Sequence, residues 1–207
     1  MSVTTKRAAR MIKSFAKKGL FFYAMFIMFL PGGITMGAET KELLITDFDS
    51  HVATNAWRVI NDGVMGGISS STWNITASGT ALFSGTVSLE NNGGFASARS
   101  PVSTYDLSAY TGITLRVKGD GKRYKLNLKT DAEFDSILYQ TEFITEKDNW
   151  QIIKAAFSHF VPTYHGVMLS NAPALDTKAV RTFGVLIADK QKGSFRLEID
   201  WMKAYRD

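Results

Sequence analysis

The sequence predicts an all-β domain, a sandwich or a barrel, and three observations predict it. Apolar and polar residues alternate along most of the chain after residue 42. Glycine-rich turns separate those runs at near-regular intervals. Helical periodicity is thin.

The elements follow in order. "RVINDGVMGGISSST" at 58–72 carries Gly63, Gly66 and Gly67 behind Asn61-Asp62. Asn-Asp-Gly is turn chemistry, because Asn and Gly accept positive φ and Asp bonds its own backbone. The stretch reads either as a tight interstrand turn or as a backbone nest for an anion or partner. It has neither the GxGxxG of a dinucleotide loop nor the GxxxxGK of a P-loop. Residues 79–90 place Ala81, Phe83, Val87 and Leu89 on one face. Residues 112–118 set Ile113, Leu115 and Val117 against Thr114, Arg116 and Lys118. "GDGKR" turns the chain, and Tyr124, Leu126 and Leu128 then alternate with Lys125, Asn127 and Lys129. Residues 139–145 form another strand, and "EKDN" leads into Trp150-Gln151-Ile152-Ile153. "TFGVLIAD" at 182–189 is apolar on both faces, the mark of a central buried strand. In the last strand Phe195, Leu197, Ile199 and Trp201 face inward, against Arg196, Glu198, Asp200 and Met202. One or two helical turns are expected at 106–110 and at 176–181, the second capped by Asp176 or Thr177.

The N-terminus is unlike the rest. Residues 1–38 hold six basic residues and no acid, and Leu20–Leu30 is wholly apolar. Pro31-Gly32-Gly33 and Met36-Gly37-Ala38 follow. The order basic, apolar, small predicts a secretory signal peptide cleaved near Ala38, and hence export to a periplasmic, extracellular or lumenal space. An organellar location or a membrane anchor is the alternative, although the solid apolar block fits an amphipathic mitochondrial transit peptide poorly, and membrane contact is expected only through this leader. A single domain over 39–207 is then expected. Without the leader, 18 basic residues face 19 acidic ones. There is thus no electrostatic case for nucleic acid. Cysteine is absent, which excludes disulfides, thiol chemistry and Cys metal sites.

Candidate chemistry is sparse. His51, His159 and His165 lack metal-ligand spacing, and no GxSxG is present. Asp131, Glu133, Asp135 and Glu142 mimic a calcium loop, but Ser136 stands where the sharp turn needs Gly. Asp47 and Asp49 read as solvated carboxylates. No cofactor and no metal site is expected. Trp57, Trp73, Trp150 and Trp201 raise a carbohydrate reading, since sugars stack on exposed aromatic faces. Asn74-Ile75-Thr76 is a glycosylation sequon, meaningful only in a eukaryotic secretory route.

Four blocks then add up to a resemblance: "VINDGVMGGISSS" (59–71), "NNGGFASARS" (91–100), "VKGDGKRYKLNL" (117–128) and "DKQKGSFRLEIDWMKAY" (189–205). They resemble, in order, the complex I intermediate-associated protein 30 family. The resemblance implies a jelly-roll sandwich similar to galactose-binding domains, and a non-enzymatic role as an assembly factor or chaperone of respiratory complex I. It implies no catalytic residues. It marks Asn61, Asp62, Gly63, Met65, Gly66 and Gly67 in the first block as candidate partner or ligand contacts, with Arg99 in the second and Asp120 and Tyr124 in the third. Ser194 replaces an expected proline. Met65 reads either as a partner contact or as a plug at one end of the sandwich.

The leading expectation is therefore a non-catalytic binding or assembly factor with a protein client. A glycan-binding module is the alternative, and a hydrolase with a spatially assembled site is the third. Exposed coplanar aromatics over a groove would favour glycan, an apolar patch a protein client, and a cleft with a His–carboxylate pair an enzyme.

Overall fold

The computed structural model describes residues 42–49 and 56–207. The leader expected at 1–38 and His51 lie outside these residues. Two antiparallel sheets face each other. One holds β1 (Leu43–Asp47), β3 (Ser70–Ile75), β4 (Ala81–Val87), β6 (Gly112–Lys118), β9 (Trp150–Ala156) and β13 (Gly193–Tyr205). Its order is β3-β4-β13-β6-β9. The long β13 has room for two partners on one side: β4 pairs with its first half and β1 with its second. The other sheet holds β2 (Arg58–Asn61), β5 (Ala96–Arg99), β7 (Arg123–Lys129), β8 (Leu138–Ile144), β10 (Val161–Tyr164), β11 (Val167–Met168) and β12 (Thr182–Ile187). Its order is β11-β10-β8-β7-β12-β5-β2.

The alternating residues meet between the sheets. Ala81, Phe83, Ile113, Leu115, Val117, Leu197 and Ile199 come from one, and Tyr124, Leu126, Leu128, Phe183, Val185 and Ile187 from the other. All are almost fully buried, and their removal from water is the main source of stability. β12 lies inside its sheet, as its doubly apolar pattern predicts. Trp57 and Trp73 stack at 4.4 Å with an interplanar angle of 3°, and Phe48 meets both edge-on. The two tryptophan rings are stacked face on face against the core, Trp57 buried and Trp73 half-buried, and so form no side-by-side platform for a sugar.

Three expectations need correction. Trp201 does not join the core. The pairing of β13 with β6 runs Ile199↔Val117 and then Trp201↔Arg116, so Asp200 is an extra residue, a β-bulge. The bulge flips the remaining residues: Met202 and Ala204 are buried, and Trp201 turns outward beneath the Lys203 ammonium, 4.6 Å away. Leu89 lies beyond the end of β4 and is part-exposed. Finally, 106–110 and 176–181 are single hydrogen-bonded turns, Tyr110 N–H to Leu107 O and Ala179 N–H to Asp176 O. Too few residues follow each first bond to repay helix nucleation. The 3₁₀ turns lie elsewhere, at Asp62–Met65, Glu90–Asn92 and Phe157–His159.

Candidate functional site

The glycine-rich blocks are built around one side chain. Asp62 is only 1% exposed, and no cation pairs with it among the described residues. Its carboxylate accepts from Ser69 N–H (2.9 Å), Ser69 Oγ (2.5 Å), Gly94 N–H (2.6 Å) and Phe95 N–H (3.3 Å). Burial alone pushes this carboxyl up, but the Ser69 hydroxyl and the three backbone donors outweigh it. The net effect holds Asp62 below the usual carboxylate range. Two glycines make the room. A Cβ on Gly67 would overlap Asp62 Cγ and Oδ1, and one on Gly93 would fall 2.6 Å from Oδ2. Gly66 closes the 3₁₀ turn at φ 88°, where a side chain is strained. Asn61 Oδ1 accepts from Ser71 Oγ at 2.6 Å. Gly63 meets nothing within 4 Å of a built Cβ. The stretch is thus a turn wired to a loop 32 residues away. What it presents is its tip, with Val64 62% and Met65 63% exposed.

That tip stands at the rim of a groove of about 590 Å³ on the outer face of the seven-stranded sheet. Strand alternation builds the floor: residues opposite in pleat to the core point outward. One row of register partners crosses the sheet as Arg58, Arg99, Gly184, Asn127, Gln140 and Val161. Gln140 Nε2 donates to Asn127 Oδ1 at 2.9 Å, and both amides are nearly buried. Among the described residues the Arg99 guanidinium donates once, to Phe134 O at 3.3 Å, and lies 5.7 Å from the Phe134 ring centre. Desolvation lowers the Arg99 pKa, with Asp131 opposing. Lys129, 1% exposed, donates to the carbonyls of Glu133 and Phe134 and sits 3.6 Å from Asp131. Burial first, and the neighbouring Arg99 charge second, lower its pKa.

The sequence candidates divide. Met65 and Arg99 line the groove. Asn61, Asp62, Gly63, Gly66 and Gly67 form the turn behind Met65. Asp120 and Tyr124 lie apart from it. Tyr124 is buried in the core and donates its phenol to Asp120 Oδ1 at 3.0 Å, while Asp120 Oδ2 accepts from Arg196 N–H. Burial, then the Asp120 charge, raise the Tyr124 pKa, so the phenol stays protonated. The pair fastens the β6–β7 turn to β13. The groove floor itself, Asn127, Lys129, Gln140 and Gly184, was missed. Its only sequence signal is that Asn127 and Lys129 occupy outward strand positions.

Other chemistry is accounted for. In the calcium-like loop the Lys129 ammonium supplies a positive charge beside Asp131, Ser136 Oγ donates to Asp131, and Glu142 sits near Arg123 and Lys125. At the groove's far end His165 Nε2 lies 2.7 Å from Asp135 Oδ1, and Tyr164 donates to Oδ2 at 3.0 Å. The His165 and then the Tyr164 bond lower the Asp135 pKa. A His–carboxylate pair is therefore present at the cleft, but both side chains are more than half exposed. Ser136, the hydroxyl two residues from this loop's aromatic Phe134, is bonded to Asp131 and not to His165.

Comparison with known proteins places these features. The profile of the complex I intermediate-associated protein 30 family matches residues 46–199. The mitochondrial complex I intermediate-associated protein 30 of Drosophila melanogaster is 29% identical over 198 residues, covering 85% of this chain and 64% of that protein. Its Mus musculus counterpart is 30% identical over 108 residues, 50% of this chain and 33% of that one. The chain thus matches less than two thirds of the length of each of these relatives. Among solved structures, a family 11 carbohydrate-binding module of Clostridium thermocellum, held with a mixed-linked tetrasaccharide, superposes with a TM-score of 0.61 at 16% identity, covering 80% of this chain and 95% of the module. An agarase superposes at 0.56 and 10% identity, over 80% of this chain and 24% of its own. These likenesses show the fold, a two-sheet antiparallel β-sandwich.

The relatives' mitochondrial names overturn the expectation of export through a signal peptide. The physical reason is that both kinds of leader begin basic and acid-free. The apolar block at Leu20–Leu30 outweighed a second pattern: Lys6, Arg10, Lys13 and Lys17 recur at helical spacing, opposed by Ala8, Met11, Ile12 and Phe15. With its family profile spanning most of the chain, this protein belongs to the complex I intermediate-associated protein 30 family.

Proposed function

We propose that this protein is a non-catalytic, mitochondrial assembly factor that holds a protein client during the building of respiratory complex I, with the domain over 39–207 doing the holding. One observation carries the reading: Val64 and Met65 are held outward at the groove rim by the Asp62 hydrogen bonds. Large apolar side chains presented to water on an ordered turn suit a protein surface. Family membership supports complex I as the setting, since the matched relatives carry it in their names.

A rival observation is the His165–Asp135 pair, which invites a hydrolytic reading. The nearby Ser136 Oγ is bonded to Asp131 and not to His165, which counts against a serine nucleophile there. Deletion of the protein should lower assembled complex I on native gels. His165→Asn should restore assembly as well as the wild type does. If His165→Asn accumulates normally and fails to restore it, the non-catalytic reading falls.

A further inference from the structure

We propose that the groove on the seven-stranded sheet is the client seat, and that it takes an extended, acid-bearing polypeptide segment whose carboxylate is gripped by Arg99. The inference rests on the assembly-factor reading above and names the chemistry of its client.

Size is the first argument. The groove is lined by residues of β2, β5, β12, β7 and β8, five adjacent strands, with His165 and Gly166 at its far end. Strands about 4.8 Å apart make that crossing roughly 19 Å, the length of about six extended residues.

Charge is the second. Arg99, Lys125, Lys129 and Lys190 line the groove against Asp135 and Asp189. The basic side chains are not equally available. Lys125 sits 2.9 Å from Asp189, and Lys129 is held by two carbonyls and Asp131. Arg99 has one bond, to Phe134 O, and no carboxylate partner among the described residues. A guanidinium stacked on a ring, with most of its donors open, fits a carboxylate in the two-pronged manner.

The floor is the third. Gly184 is the register partner of both Arg99 and Asn127, in the middle of a strand. A bare strand glycine permits close approach of another backbone. Beside it the Asn127–Gln140 pair uses one Gln140 donor and the Asn127 acceptor, leaving Asn127 Nδ2 and Gln140 Oε1 without a protein partner among the described residues. One donor and one acceptor, side by side, match the C=O and N–H of an extended main chain. The rim decides between a peptide and a sugar. Val64, Met65 and Phe134 are aliphatic, thioether and a single ring, suited to apolar side chains. Trp57 and Trp73 are stacked on each other against the core and do not line the groove.

The test pans a displayed library of random peptides, each about twelve residues so that it exceeds the groove's span, against the immobilised full chain. The wild type should enrich peptides with Asp or Glu between apolar residues. Their Asn or Gln counterparts should bind about tenfold more weakly, as loss of one charge-assisted contact implies. Arg99→Gln should lose that preference, and Met65→Ser should weaken all selected peptides alike. Enrichment without acid preference, or the same peptides on Arg99→Gln, would overturn the proposal. So would Arg99-dependent binding of a mixed-linked glucan tetrasaccharide with no peptide enriched. Native-gel co-migration of both variants with complex I intermediates separates the two levels. If Arg99→Gln still co-migrates like the wild type, the groove inference fails and the assembly role stands. If the wild type itself does not co-migrate, the assembly role fails.

Discussion

Replacing Asp62 by Ala should destabilise the fold by about 3–5 kcal/mol, through its hydrogen bonds more than through apolar burial. The substitution removes the acceptor of four hydrogen bonds. A hydrogen bond to a charged group contributes roughly 1.5–3 kcal/mol, and an orphaned buried donor costs about 1–3 kcal/mol. A naive total exceeds the whole stability of a small domain, about 5–15 kcal/mol. The Gly94 and Phe95 amides are part-buried, so water can recover some of their bonds, and the Ser69 hydroxyl can turn to Ser88 O, 3.3 Å away. What remains is the Ser69 amide, the lost charge assistance and a void against Gly67 and Gly93. Asp62→Asn keeps the shape and one acceptor, and should cost about 1–3 kcal/mol. Urea denaturation with the slope held constant reads both values. A cost below about 1 kcal/mol for Asp62→Ala would refute the idea that this carboxylate organises the two glycine blocks.

Gly67→Ala should cost several times what Gly63→Ala costs in the same urea titration, because a Cβ at 67 overlaps Asp62 while one at 63 meets nothing within 4 Å. Equal costs would contradict the packing. Met202→Ala should lose about 2–5 kcal/mol as a buried truncation, and Trp201→Ala about 1 kcal/mol or less; the reverse order would mean that the bulge at Asp200 is misplaced. Asp62 and Glu198 both have folded-state pKa values below their ordinary ones. Burial pushes Glu198 up, but the Lys118 and Thr80 bonds and the Lys118 and Arg196 charges outweigh it. A lowered folded value means that the unfolded chain binds protons first on acidification. Their stabilisation is therefore present above the unfolded values, near pH 4, and is lost as pH falls through the folded ones. Thermal melts below about pH 5 should fall more steeply for the wild type than for Asp62→Asn.

Strand existence was legible because one face of each strand meets the opposite sheet, which enforces alternation. The run Ile113, Leu115, Val117 and the run Tyr124, Leu126, Leu128 are both core. Legibility ended at β13, where one extra residue at Asp200 reverses every later side chain. The apolar Trp201 continues the alternation that the bulge breaks, so it read as inward. The glycine blocks were legible as a motif but not as a device, since Asp62 finds Gly94 and Phe95 across 32 and 33 residues. The groove floor was the least legible part. Arg99, Asn127 and Gln140 are ordinary outward polar residues until register aligns β5, β12, β7 and β8. The leader was read by its strongest local feature, and the weaker helical recurrence of its basic residues was passed over.

The central claim is that the tip raised by Asp62 holds a protein client. The most direct measurement follows the tagged full chain through native-gel separation of mitochondrial membranes, with mass spectrometry of each slice. The wild type should run with complex I intermediates smaller than the finished complex. The double variant Val64→Ser, Met65→Ser changes two residues more than 60% exposed. Its urea midpoint should therefore stay within experimental error, while its position shifts to that of the free protein. Unchanged co-migration of this variant, at unchanged stability, would contradict the claim.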